Sequence, residues 1–146
     1  MKTLHATSIC VLLFVAGTGW AAPGDRIDTK ALKDKVPLTL GSKGTVQFTQ
    51  HGGKLADPKL IEDPNWKQPG IGVEFRKEPK FLALALRNGL AKPLRYRAAI
   101  RLNGSKDYIE TSLIVPIRSG LISMEAWQEP IEELVLFEFA LTDEKL

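Results

Sequence analysis

The sequence predicts an all-β chain: a single antiparallel β-sandwich of about seven strands, preceded by a cleavable signal peptide. Three observations carry the fold class. From Val36 onward the apolar residues recur with a period of two rather than 3.6. Turn signals rich in Gly, Pro and Asn separate these short alternating runs. No convincing amphipathic helix follows the N-terminal segment, which leaves sheet-on-sheet packing as the way to bury the alternating faces.

The N-terminus has the three parts of a secretory signal: the charge of Lys2, an uncharged apolar run over residues 9–16, and Gly17-Thr18-Gly19-Trp20-Ala21 before the cut. Cleavage after Ala21 puts Gly19 and Ala21 where small side chains are required. Cleavage after Ala22 would place Trp20 in a small pocket, so residues 1–21 are read as the signal. The apolar run is far shorter than the roughly 18–20 residues that span a bilayer, so no transmembrane segment is expected once the signal is removed. Cys10 is the only cysteine and lies in the signal. The mature chain therefore cannot use the disulfides on which small extracellular domains commonly lean, and a secreted or periplasmic bacterial protein is expected.

Residues 22–35 are polar and charged and are read as a mobile leader; 36–142 form the sandwich, and 143–146 a C-terminal tail. Val36, Leu38 and Leu40 alternate up to the turn Gly41-Ser42-Lys43-Gly44, and Val46 and Phe48 continue the pattern. Residues 51–70 hold three glycines and three prolines and are read as one long loop. Ile71, Val73 and Phe75 alternate, and 81–86 is continuously apolar, as in a strand covered on both faces. Leu94, Tyr96, Ala98, Ile100 and Leu102 fix a core face, and the next strand begins at Tyr108. Matching the two faces pairs Ile100 with Ile109 and Tyr96 with Leu113, with a loop of Asn103 to Lys106; a one-residue slip would set Arg101 against Ile109. Val135, Phe137, Phe139 and Leu141 are read as one face of the last strand.

Strand number, spacing and alternation over about 36–142 resemble the immunoglobulin or fibronectin type III architecture, at fold level only. The Cys, Trp, Cys core of true immunoglobulin domains is missing. A resemblance of this kind implies a fold and no function.

Charge is unevenly placed. Residues 22–106 carry 17 basic and 8 acidic side chains, whereas 107–146 carry 2 and 9. The near balance of the whole gives no case for nucleic acid, and the two halves are expected to interleave and neutralise each other. Arg95, Arg97 and Arg101 share the face opposite Tyr96 and form a row roughly 20 Å long. Such a row could hold a phosphate- or carboxylate-rich polymer. A self-neutralised surface is the preferred reading, with Glu110, Glu132 and Glu138 as partners.

Several chemistries lack their residues. His51 is the only histidine outside the signal, so no metal site is expected, and a Cys–His nucleophile is impossible. No phosphate loop or dinucleotide fingerprint is present, and no cofactor is expected. Trp66, in Asp63-Pro64-Asn65-Trp66, either pins the 51–70 loop to the core, the preferred reading, or anchors a partner. The function expected is a non-catalytic binding or assembly module of the bacterial envelope that recognises a protein or an anionic envelope polymer, with Arg95, Arg97, Arg101 and Trp66 as candidates. The alternative is a small carbohydrate-active or peptidoglycan-directed enzyme using Glu125, Glu129, Glu132 and Glu133 around Trp127.

Overall fold

The structure is a computed structural model and describes residues 25–111 and 116–143. The expected signal peptide, the cleavage point after Ala21, the pairing of Tyr96 with Leu113 and the end of the tail lie outside the described residues.

Ten strands and no helix are found among the described residues: β1 (Arg26–Ile27), β2 (Val36–Leu38), β3 (Lys43–His51), β4 (Lys54–Glu62), β5 (Ile71–Lys77), β6 (Leu82–Asn88), β7 (Leu94–Leu102), β8 (Tyr108–Glu110), β9 (Ile122–Trp127) and β10 (Ile131–Leu141). They form two antiparallel five-stranded sheets, ordered β1-β8-β7-β10-β2 and β4-β3-β5-β6-β9. The sheets bury their facing sides against each other in a sandwich-like arrangement. Val46, Ile71, Val73, Phe75, Leu84 and Leu86 from one meet Leu94, Tyr96, Ala98, Leu134 and Leu136 from the other.

The β7–β8 hairpin has the register that its two faces demand, Ile100 opposite Ile109 and Ala99 opposite Glu110. The Thr111 amide continues the ladder by donating to the Ala98 carbonyl.

Three elements differ from the sequence reading. Residues 54–62 are not loop but β4, the edge strand of its sheet. Pro58, one of the prolines behind the loop reading, and the lysines beside it are what a sheet edge tolerates. Gly52 and Gly53, both at positive φ, make the two-residue turn that joins β3 to β4. Strand β9 likewise has no counterpart in the sequence reading. It lies at the other edge of the same sheet with its polarity inverted: Glu125 is buried while Ile122 and Met124 are exposed. The third difference is the leader. Residues 26–27 pair with β8, and 28–35 then cross the outer face of the first sheet as a strap to reach β2 at its far edge. Leu32 of the strap and Ile27 pack there on Ala99, Val135 and Phe137.

That second small core corrects the reading of the last strand. Leu134 and Leu136 face the main core, whereas Val135 and Phe137 face the strap. A β-bulge between Phe137 and Ala140 then inserts one extra residue and turns Phe139 back into the main core.

Candidate functional site

Two bulges, one in each sheet, open a cleft at one side of the sandwich. In β10 the extra residue is Glu138, at φ 49°. In β4 the pairing with β3 shifts between Gln47 and Thr49, so that Asp57 and Pro58 face one residue too few, and Asp57 takes φ 50°. The strap closes the third side, with Asp34 at φ 53°. Left-handed backbone costs an L-residue about 1–2 kcal/mol, and Asp tolerates it better than most. Of the four non-glycine residues at positive φ among the described residues, three therefore line or adjoin one cleft.

The cleft holds about 270 Å³. Its floor is Phe48, Leu55, Pro58 and Phe139, with Leu32 entering from the strap. Phe48 of β3 and Phe139 of β10 meet edge to face, centroids 5.0 Å apart, and so tie the two sheets together at the floor. Lys33, Asp34 and Glu138 stand at the rim. Glu138 is engaged: Arg97 donates from one guanidinium nitrogen to both its oxygens, at 2.9 and 3.0 Å. The strap is held by its own bonds: Lys30 N–H donates to the Asp28 carboxylate and the Lys35 amine to the Thr29 carbonyl.

The arginine row is present but its charges are paired. Arg97 lies over the Phe137 ring and donates to both oxygens of Glu110, at 2.6 and 2.7 Å, as well as to Glu138. Glu110 first, and then Glu138, push the Arg97 guanidinium further up from its already high range. Arg101 bonds Glu132 at 2.6 Å and stacks on Tyr108, whose hydroxyl donates to Glu133. Arg95 is exposed at the end of the row. The acidic β10 thus lies beside the basic β7, which is how the lopsided halves of the sequence neutralise each other.

Trp66 belongs to neither the row nor the cleft. It pins the 63–70 segment to the outer face of the second sheet, where its indole covers Gly72 so closely that a Cβ there would lie 2.6 Å from the ring. Its indole N–H donates to the Val73 carbonyl at 3.3 Å, and Arg87 donates to its carbonyl. Asp63 organises this turn. Its carboxylate accepts from the Gln68 and Lys67 amides and from the Thr45 hydroxyl, and these bonds, Gln68 foremost, hold it below the usual carboxylate range despite its burial.

The four acids proposed for catalysis do not converge. Glu125 is buried between the sheets, where the Tyr96 hydroxyl donates to it at 2.6 Å. Burial first, and then the Glu125 charge, push the Tyr96 hydroxyl well above its ordinary range, so it stays a donor. Glu129 is exposed between β9 and β10, whereas Glu132 and Glu133 are bonded to Arg101 and Tyr108 on the outer face of the other sheet. Trp127 packs half-buried against the main core. Among the described residues no three His, Cys, Asp or Glu side chains are grouped to hold a metal, and no helix is long and apolar enough to cross a membrane.

Of the cleft residues the sequence reading names Phe48 and Phe139 as strand residues and Glu138 as an arginine partner, and none as a binding site. The cleft's signal is indirect, an Asp-Pro inside an otherwise alternating strand and a charged residue between two phenylalanines, each marking a bulge. Compared with known proteins, the chain matches no family model, no curated protein and no solved structure.

Proposed function

We propose that the chain is a non-catalytic binding module, exported to the bacterial periplasm or beyond, which holds a partner at the cleft between the strap and the two bulges. The observation that carries this is the gathering of three left-handed acidic residues and two bulges, from separate parts of the chain, around one apolar floor. Strained backbone of this kind, about 1–3 kcal/mol per residue, concentrates at ligand clamps. Binding is favoured over hydrolysis because the carboxylates available for acid–base work lie apart and most are bonded elsewhere. A protein partner is favoured over an anionic polymer because Arg97 and Arg101 already face carboxylates. Export rests on Lys2, the apolar run over 9–16 and the small residues before Ala22. The architecture is proposed to be immunoglobulin- or fibronectin-III-like in its layering, supported by the two facing antiparallel sheets.

The exported protein is expected to have the mass of a chain starting at Ala22 and, immobilised, to capture a specific protein from envelope extract without hydrolysing peptidoglycan or oligosaccharides. A secreted product that retains residues 1–21 refutes export. Saccharide hydrolysis, or capture of nothing, refutes the binding reading.

A further inference from the structure

The cleft is too small for most cofactors and oligosaccharides. Sites for drug-sized molecules run from about 300 to 1,000 Å³, whereas this one holds about 270 Å³. A cavity of about 150 Å³ lined by aliphatic and aromatic side chains takes benzene, so the cleft has room for one group somewhat larger than a benzene ring. Its lining offers such a group Phe48, Phe139, Leu55, Pro58 and Leu32, the charged side chains being those of the exposed Lys33, Asp34 and Glu138.

The rim narrows the class further. With Glu138 held by Arg97, the charges left at the rim are one cation, Lys33, and one anion, Asp34, side by side on the strap; neither has a hydrogen-bond or ion-pair partner among the described residues. A balanced rim of this sort gives no purchase to a polyanion or a polycation, but it offers one donor and one acceptor to a neutral, polar backbone. The position in the fold supplies the rest. Strand β4, which contributes Leu55 and Pro58, is the last strand of its sheet, and β2, into which the strap runs, is the last strand of the other. An extended chain laid against a sheet edge gains main-chain hydrogen bonds, and a pocket beside that edge reads one of its side chains.

We infer that the cleft takes one bulky apolar side chain, aromatic or leucine-sized, from an extended, uncharged peptide segment of a protein partner. This rests on the reading of the chain as a binding module and specifies what that module recognises.

The test uses isotope-labelled exported protein and acetylated, amidated nonapeptides of alternating Ser and Thr with Phe, Leu, Ala or Glu at the centre. Nuclear magnetic resonance is expected to show the Phe and Leu peptides shifting the amides of residues 31–34, Leu55 and Glu138. Binding of the Ala and Glu peptides should be at least tenfold weaker, because burying a side chain of that size is worth a factor of ten or more. Ala31→Trp fills the cleft from an exposed strap position, and it should abolish those shifts while leaving the rest of the spectrum in place. If Ala31→Trp does not fold, Ala31→Leu with the same readout replaces it, with a smaller loss expected. Equal binding of the Phe and Ala peptides, or shifts that fall elsewhere, overturns the inference. So does indole binding as tightly as the Phe peptide, which would make the cleft a small-molecule site. Capture of an envelope protein that persists in Ala31→Trp overturns this inference and leaves the binding module standing, whereas failure of the wild type to capture any partner strikes the module itself.

Discussion

Changing Tyr96 to Phe tests a buried polar contact that crosses the core. Tyr96 on β7 is 4% exposed and Glu125 on β9 is 9% exposed, and the hydroxyl donates to the carboxylate at 2.6 Å. That distance is in the range of a charge-assisted O–H···O⁻ bond, worth about 1.5–3 kcal/mol net when one partner is ionised. Tyr96→Phe leaves the carboxylate buried with one donor fewer and is expected to destabilise by about 2–3 kcal/mol. Glu125→Leu leaves the hydroxyl buried without this acceptor and should cost about 1–3 kcal/mol. The double variant should be much less damaged than the sum, with a coupling of about 1.5–3 kcal/mol, since removing both partners strands neither. Urea unfolding at constant slope measures all four proteins. The raised Tyr96 value adds a pH signature. The folded-state value lies above the 10.0 of an unperturbed tyrosine, so the unfolded chain loses its proton first. The stabilisation is complete below about pH 10 and is lost as pH rises beyond it. That alkaline loss should vanish in Tyr96→Phe. A coupling below about 0.5 kcal/mol, the level found for independent sites, would refute the contact.

Other outcomes follow from the same geometry. Gly72→Ala should push the Trp66 indole off the sheet, red-shift its fluorescence and cost roughly 1–3 kcal/mol as an overpacked contact; unchanged emission would contradict the close approach. The Asp63 value lies below the ordinary 3.8, so its stabilisation is present above about pH 4 and is lost as pH falls through the folded-state value. The acid limb of stability should therefore flatten in Asp63→Asn, and an unchanged limb would remove the argument. With Arg97 and Arg101 paired, the exported protein should not bind polyphosphate or polygalacturonate at low salt. Salt-sensitive binding that is lost when Arg95, Arg97 and Arg101 are all changed to Gln would revive the polyanion reading.

The sequence discloses most where one face is buried and the other wet. Strand β7 is such a case: Leu94, Tyr96, Ala98, Ile100 and Leu102 all reach the main core, and the register with β8 follows from matching their face. The reading fails at the sheet edges. Strand β4 carries Lys54, Asp57, Pro58 and Lys59, residues common on the edges of sheets, and in composition they cannot be told from a loop. The clue to β4 is Gly52-Gly53, a two-residue hairpin signal flanked by residues that pair, His51 with Lys54. Strand β9 alternates cleanly, but Ser123, Glu125 and Trp127 turn toward the sandwich while Ile122 and Met124 turn outward. An inward-pointing charge on an edge strand is itself a guard against edge-to-edge association.

The cleft was illegible for a more specific reason, which also bears on whether it is accidental. A bulge changes the phase of a strand without changing its composition. Val135, Phe137 and Phe139 look like one face, yet the extra residue sends Phe137 to the strap and Phe139 to the main core, and no count of apolar positions reveals the switch. Glycine at position 34, 57 or 138 would relieve about 1–2 kcal/mol of left-handed strain and loosen the unfolded chain by roughly 0.5–1 kcal/mol, a net relief of about 0.5–1 kcal/mol. Placement is the stronger argument. The bulge in β10 is set against β7 in one sheet, the bulge in β4 against β3 in the other, and the strap that carries Asp34 comes from the segment before both. Three independent departures from regular backbone, far apart in sequence, border the same apolar space beside Phe48 and Phe139.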